Sequence, residues 1–269
     1  MINFENVLSC DDVSKKSQFV ELYIKALNRG EHLDLEVSSP KIFKEPSYSQ
    51  ICKIVDPKDL PARKNLHTKE GLGILIHAIL HIEYSAIDLA LDAVYRFRDM
   101  PQEYKMDWMV VAQDEIRHFE MLKSILKELG YNYGDFTVHS GLFDAANHTG
   151  DDVLDRMAII PRYYEASGLD VNPQIIKKLE NQKKDPLVLR IIDALKVIYQ
   201  EEIDHVYKGD KWFKYICQDR KLEHKETYRD ILDKYRLIDK YRPHINVQAR
   251  KEAGFSCDEI VSLGAKDCK

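Results

Sequence analysis

Two four-residue segments decide the fold: EIRH at Glu115–His118 and EIDH at Glu202–His205. In each segment a glutamate is followed three residues later by a histidine. Positions i and i+3 lie on one face of a helix, so the two side chains of each pair point the same way. Apolar residues flank both segments at helical spacing. We therefore predict that both pairs face the core of a helical protein.

Two further glutamates, Glu83 and Glu165, also stand where an apolar stripe should continue. The stripes that carry the four glutamates predict four long helices. The predicted helices run from the N-cap Thr68 to Arg98, from Pro101 to Gly130, from Asp151 to Ser167, and from Asp185-Pro186 past Trp212. Pro161 lies inside the third helix and is expected to kink it.

Four buried carboxylates are unfavourable unless they are paired or bound to metal. Four glutamates carry a charge of −4, which two divalent cations balance, whereas neutral imidazoles add no charge. Carboxylate with imidazole suits iron or manganese better than a softer metal. One glutamate from each of two helices, with Glu-x-x-His from each of two others, is the ligand pattern of dimetal-carboxylate bundles. The sequence therefore predicts a site for two iron ions, with manganese or a mixed manganese–iron pair as the alternative. The predicted ligands are Glu83, Glu115, His118, Glu165, Glu202 and His205.

The predicted fold is all-α, a four-helix bundle with a long crossover between helices 2 and 3 and helical extensions at both ends. The crossover is Gly130–Gly150, which is long for a simple turn. We expect an N-terminal helix and wrapping segment at 1–66, the dimetal bundle at 67–220, and a C-terminal extension at 221–269. Shorter helices are predicted at Ser17–Asn28, Pro173–Lys184, Lys221–Tyr241 and Cys257–Leu263, and Pro40 to Pro61 is expected to be extended or looped.

Composition agrees with long helices, because Gly and Pro together are only 20 (11 + 9) of 269 residues. The net charge of −5 does not demand a nucleic-acid partner. Five scattered cysteines without a C-x-x-C pair argue against a disulfide framework and against a cysteine-rich zinc or rubredoxin-type site. The most apolar window, 71–95, is interrupted by ionisable residues, so no membrane association is expected and a cytoplasmic location is the default.

Several longer segments resemble a known family. They are HIEYSAIDLALDAVYRF (81–97), DEIRHFEML (114–122), RMAIIPRYYEASGLDVNP (156–173), EEIDHVYKGDKWF (201–213) and NVQARKEAGF (246–255). Over about residues 68–256 the chain resembles a bacterial ferritin-like family of unknown function within the dimetal-carboxylate proteins. The resemblance implies the bundle and the metal ligands but no established reaction. The ligand pattern is also similar to that of the di-iron hydroxylase that modifies a tRNA adenosine.

Other residues near the predicted ligands have two interpretations each. Arg162 is a candidate catalytic residue that holds an anionic substrate group, or it forms an ion pair with a core glutamate. Tyr199 is a candidate catalytic residue, or it is a core tyrosine with a satisfied hydroxyl. Asp114 and Asp204 are expected to be solvated or paired on their own helices rather than to orient a ligand histidine. His77 and His81 point away from Glu83 and are interpreted as structural. Glu201 is not a predicted metal ligand, because the residue three positions later is Asp204 rather than a histidine.

These features predict a non-haem dimetal oxidoreductase that uses O2 or peroxide to oxidise or hydroxylate a small-molecule or nucleoside-like substrate. Electrons are expected from an external donor, because no flavin or nicotinamide motif is visible. The alternatives are a tRNA-modifying hydroxylase, and a ferroxidase or structural metal protein without oxygenase turnover. The stretch 208–251 holds 13 Lys or Arg against 7 Asp or Glu, with tyrosines at 207, 215, 228, 235 and 241. Basic charge with aromatic residues is a composition of RNA-binding segments. Mixed charges are more often a solvated helix face, so RNA is the less favoured partner. A monomer or homodimer is expected.

Overall fold

The computed structural model describes residues 3–31, 39–238 and 244–268, and these residues form helices, turns and connecting chain without an extended strand. The predicted all-α class is confirmed. The chain divides into two compact units, Met1–Asn147 and His148–Lys269. The division falls inside the segment predicted to be a crossover.

The first unit is built around two long helices. In chain order its helices are α1 (Phe4–Leu8), α2 (Val13–Asn28), two short 3-10 turns (Ser47–Gln50 and Pro57–Asp59), α3 (Lys69–Arg96), α4 (Gln102–Glu128) and α5 (Gly141–His148). A single parallel bridge joins Ile54 to Val138. The predicted helices at Ser17–Asn28, Thr68–Arg98 and Pro101–Gly130 are thus confirmed to within a few residues.

Capping side chains set where these helices begin. The hydroxyl of Thr68 accepts a hydrogen bond from the Gly71 amide at 3.0 Å, which satisfies one of the free N–H groups at the start of α3. The Asp12 carboxylate accepts from the Ser14 amide at 2.9 Å, so α2 begins four residues before its predicted start. The apolar face continues to Val13 beside the cap, but Lys16 interrupts it.

The helix α3 is long and apolar enough to cross a membrane by length and composition alone, with a mean hydropathy of 1.5 over its most apolar window. However, 78% of that window is buried inside the protein. A buried core helix passes the same test, so the feature is weak evidence for a membrane span.

The second unit contains the remaining helices. They are α6 (Val153–Ile159), a π-helical segment π1 (Ile160–Glu165), α7 (Ala166–Leu179), a 3-10 turn (Glu180–Gln182), α8 (Pro186–Asp219), α9 (His224–Lys234), α10 (Val247–Glu252) and α11 (Cys257–Ser262). The predicted fourth long helix and the short helix near Cys257 are confirmed. The helix predicted to reach Tyr241 ends at Lys234, and Tyr241 lies outside the described residues.

Two prolines shape the chain between α6 and α7. Pro161 lies in π1, so the predicted kink is a π-helical insertion rather than a break. The predicted boundary between Ser167 and Pro173 was wrong, because α7 continues through Pro173. Proline cannot donate to the carbonyl four residues earlier. In the structure that carbonyl, of Leu169, accepts instead from the Asn246 side-chain amide at 3.2 Å.

Several other features were not predicted, among them the short helix α1. The expected crossover contains α5, and the C-terminal tail contains α10. Cys257 and Cys268 form a disulfide, while Cys10, Cys52 and Cys217 are free. We expected no disulfide framework because the cysteines are scattered along the sequence. Their spacing does not show that the fold brings Cys257 and Cys268 together.

Candidate metal centre

The first unit brings three of the six predicted ligands together. Glu83 extends from α3, and Glu115 and His118 extend from one face of α4. One oxygen of each glutamate and one nitrogen of His118 lie within 4.8 Å of one another. All three side chains are buried, with exposures of 4%, 1% and 0% in that order. The predicted inward orientation of the glutamates on α3 and α4 is therefore confirmed.

The imidazole of His118 lies between the two carboxylates. Its Nδ1 is 3.1 Å from Oε2 of Glu83 and 3.4 Å from Oε2 of Glu115. Burial lowers the pKa of His118, but the hydrogen bonds and negative charges of Glu115 and Glu83 outweigh burial and raise it to about 11. In the absence of a cation, the two carboxylates therefore retain a proton on the imidazole as their counter-charge.

This donor set fits a hard or borderline divalent metal ion. Two carboxylates and one imidazole are ligands that iron and manganese accept. A histidine must be neutral to bind metal, so binding of a cation to His118 would release a proton. A bound cation would also balance negative charge in the core, where carboxylates without a counter-charge are unfavourable.

The second unit carries the other three predicted ligands. Glu202 and His205 share one face of α8, with Nδ1 of His205 3.6 Å from Oε1 of Glu202. His205 is fully buried and Glu202 is partly buried. Glu165 is the last residue of π1 and is also partly buried. The i, i+3 pairing predicted for α8 thus has the same form as the pair on α4.

Gly209 explains how α8 lies close to π1. A β-carbon built on Gly209 would approach the Cβ of Pro161 to 2.2 Å, far inside van der Waals contact. Only glycine permits this approach. The contact fixes π1, and with it Glu165, against the helix that carries Glu202 and His205.

Arg162 is buried in an ion-pair network. Its Nε is 3.0 Å from Oδ1 of Asp210, and its Nη2 is 2.6 Å from Oε1 of Glu259. The guanidinium also lies against the rings of Phe213, Tyr228 and Phe255 at 4.2–4.7 Å. Of its two interpretations, the structure supports the ion pair, although the partners are not the predicted ligand glutamates.

Glu259 is held as a carboxylate by this network. Burial raises its pKa, but the charge of Arg162 and the hydrogen bonds of Ser256 outweigh burial and lower the pKa to about 2. Both the amide and the hydroxyl of Ser256 donate to Glu259 Oε2 at 2.8 Å. This capping box therefore ties the start of α11 to Arg162.

Tyr199 is partly buried, and its hydroxyl accepts a hydrogen bond from Asn246 at 2.8 Å. This is the arrangement expected of a core tyrosine with a satisfied hydroxyl. Asp114 pairs with Arg117 at 2.8 Å, and Asp204 pairs with Lys208, in each case on their own helix. The predicted surface roles of the two aspartates agree with these contacts.

His77 and His81 are structural, as predicted. Nε2 of His77 accepts from the Gly134 amide at 2.9 Å. Nε2 of His81 lies 3.0 Å from the His139 carbonyl, which can only accept, so Nδ1 of His81 accepts from the Tyr133 hydroxyl at 2.9 Å. Burial lowers the pKa of each histidine to about 4, so both are neutral at pH 7.

Sequence reasoning missed one buried charge in the first unit. Lys16 is fully buried and its ammonium donates to Asp88 Oδ1 at 2.5 Å. Lys16 interrupts the apolar face of α2, where Val13 and Val20 are also buried. The same interruption identified the four glutamates and could have identified Lys16.

The tyrosines of the basic C-terminal stretch do not share one environment. Tyr207 and Tyr215 are about half exposed. Tyr228 is buried and donates to the Arg162 carbonyl at 3.0 Å. Tyr235 donates to Asp155 at 2.9 Å, so it is also used within the fold.

Comparisons with known proteins give a family but no activity. A family model described as "Protein of unknown function (DUF455)" matches residues 9–261. An uncharacterized protein of Haemophilus influenzae is 40% identical over 214 residues, which are 77% of this chain and 72% of that protein. No solved structure matches.

Proposed function

The chain belongs to the DUF455 family, whose function is unknown, and from its ligand set we propose that it is a non-haem dimetal oxidoreductase of ferritin-like architecture. Two iron ions are the proposed cofactor, with manganese as the alternative. The substrate is an unidentified small or nucleoside-like molecule. The proposed ligands are Glu83, Glu115 and His118 in the first unit and Glu165, Glu202 and His205 in the second.

The observation that carries the proposal is the buried Glu83–Glu115–His118 cluster. Its three ligands come from two helices, so the geometry is fixed by packing rather than by a loop. The Glu202–His205 pair repeats the i, i+3 arrangement on α8. Each unit thus carries one Glu-x-x-His pair and one further glutamate, Glu83 or Glu165. This is the ligand pattern of sites for two cations.

When bound, two iron ions would supply the electrons for reduction of O2 or peroxide. The protein's own residues would perform three tasks. The four carboxylates would balance the charge of the two cations. His118 would bind as neutral imidazole, with release of a proton. The apolar residues around Glu83 and Glu115 would keep water away from the carboxylates.

The first experiment measures metal content per chain by plasma mass spectrometry after anaerobic loading with Fe(II). Wild type is compared with Glu115→Gln, with Glu202→Gln and with the double variant, all of which keep the side-chain shape. Glu120→Gln is the matched control, because Glu120 is an exposed glutamate on α4 that pairs with Lys123. We expect about two metal ions per wild-type and control chain, and loss of metal in the double variant.

Oxygen consumption by the loaded protein then tests turnover. Uptake of O2 by wild type, absent from the double variant, supports an oxidoreductase. Full loading without O2 uptake would favour a structural metal protein, and no loading at all would refute the metal site. Iron oxidation that proceeds without a second substrate would favour a ferroxidase. Retention of tRNA on a filter would favour the tRNA-modifying alternative.

A further inference from the structure

The first unit contains a cavity on another face of α3. Its walls come from α1, from the segment 43–48, from α3 and from α5. The cavity has a volume of about 40 Å³. A single buried water requires roughly 15 Å³ of such a cavity, so a molecule of several non-hydrogen atoms can enter it.

Three acidic residues line the cavity: Glu45, Asp88 and Asp92. Among the described residues no Lys or Arg lines it. Both aspartates are already paired within the fold. Asp88 accepts from Lys16 and Ser47, and both oxygens of Asp92 accept from Arg96. Neither Lys16 nor Arg96 lines the cavity, so the charged side chains that line it in the described part of the chain are all acidic.

The rest of the wall is mainly apolar and includes Phe43, Leu89 and Phe143. Tyr48 also lines the cavity and is 1% exposed. Its hydroxyl lies beside Ser85 but makes no hydrogen bond of normal geometry with the described residues. A polar ligand in the cavity would supply the partner that this hydroxyl lacks.

The cavity is separate from the candidate metal centre. Asp92 follows Glu83 by nine residues, which at ~100° per residue places the two on opposite faces of α3. Asp88 lies one turn before Asp92 on the cavity side. Glu83 faces α4, whereas the cavity faces α1 and α5.

We propose that this cavity binds a small organic ammonium ion. The acidic wall would hold the ammonium group, and Phe43, Leu89 and Phe143 would cover its aliphatic part. An anion is disfavoured by the three carboxylates. A metal ion is disfavoured because, in the part of the chain that the structure describes, these carboxylates do not converge as the Glu83 cluster does.

The test is isothermal titration of the full chain with n-butylammonium chloride at pH 7 in ordinary salt. Butan-1-ol and sodium butyrate serve as neutral and anionic probes of the same shape. The first variant is Glu45→Arg, which reverses an exposed charge of the cavity wall. Its matched control is Glu21→Arg, the same change on the exposed side of α2. A second variant, Ala146→Met, fills the cavity from α5.

We expect saturable binding of butylammonium to wild type and to Glu21→Arg, with at least about tenfold weaker binding of both other probes. Glu45→Arg should weaken butylammonium binding by about fivefold or more, since it replaces an attractive charge by a repulsive one. Ala146→Met should abolish binding. Absence of saturable binding, equal binding of butan-1-ol, or unchanged binding by Glu45→Arg would each overturn the proposal. Glu45 is exposed, so this variant remains a valid test even if Ala146→Met does not fold.

Discussion

The contact between Gly209 and Pro161 gives a sharp prediction for Gly209→Ala. The new methyl group would lie 2.2 Å from Cβ and 2.4 Å from Cγ of Pro161. Ordinary contact begins near 3.4 Å, so α8 and π1 must separate by about 1 Å. The proline ring is rigid and cannot move aside as a flexible side chain would.

The magnitude follows from two opposing effects. Alanine is favoured over glycine inside a helix by about 1 kcal/mol. Overpacking of a close contact costs about 1–3 kcal/mol. Gly168→Ala in α7 is the matched control, because nothing lies within 4 Å of its added methyl group. Both substitutions change helix propensity alike, so the difference between them isolates the cost of the clash.

The assay is urea unfolding of the metal-free variants, followed by metal content after loading with Fe(II). Gly168→Ala should be as stable as wild type or more stable. Gly209→Ala should be less stable than Gly168→Ala by about 1–3 kcal/mol. Since the clash displaces the segment that carries Glu165, Gly209→Ala should also bind less metal. Equal stability of the two variants would refute the close-packing argument, and full metal loading of a destabilised Gly209→Ala would separate packing from ligand placement.

Three further predictions follow from other contacts. Saturating Fe(II) should raise the melting temperature of wild type in a thermal scan, since a ligand at a hundred times its Kd adds about 2.7 kcal/mol of stability. The same scan of Glu115→Gln should show a much smaller increase in melting temperature. Burial lowers the pKa of His77 from 6.5 to about 4, so between these pH values the imidazole is protonated mainly in the unfolded chain. The free energy of unfolding should therefore fall by up to about 3 kcal/mol from pH 6.5 to 4, and urea titrations of His77→Gln should show a smaller fall. Arg162→Met removes the cation that pairs with the buried carboxylate of Glu259 and leaves Asp210 with Lys214, so it should destabilise the protein by about 3–5 kcal/mol. Lys225→Met, which breaks an exposed pair with Asp258, should change urea stability little; similar losses in both variants would contradict the assigned burial of the Arg162 network.

The helices were predictable where a cap and an apolar stripe agreed. Thr68 caps α3 and Asp185 caps α8, as the sequence indicated. The prediction failed where a distant residue decided the outcome. Pro173 reads as a helix boundary, and it becomes a helix interior because Asn246 takes the carbonyl that proline leaves free. Local sequence cannot show a hydrogen bond across 77 positions.

The candidate ligands were predictable for a different reason. A charged residue on an apolar stripe needs a partner, and the need is visible before the partner is known. This reasoning identified Glu115 and His118, and the structure brings Glu83 to them. The same reasoning could state that Arg162 is paired but not that Asp210 and Glu259 are its partners, because both are far from Arg162 in the sequence.

The charge of each ligand set gives the strongest reason to treat the two Glu-x-x-His pairs as equivalent. With a neutral imidazole, Glu83, Glu115 and His118 carry a charge of −2, which a single divalent cation balances. The second unit repeats this composition with Glu165, Glu202 and His205. A structural role for one metal would need only one such set. The presence of the same charge in both units is therefore better explained by two cations than by one, and it supports the dimetal proposal independently of any resemblance.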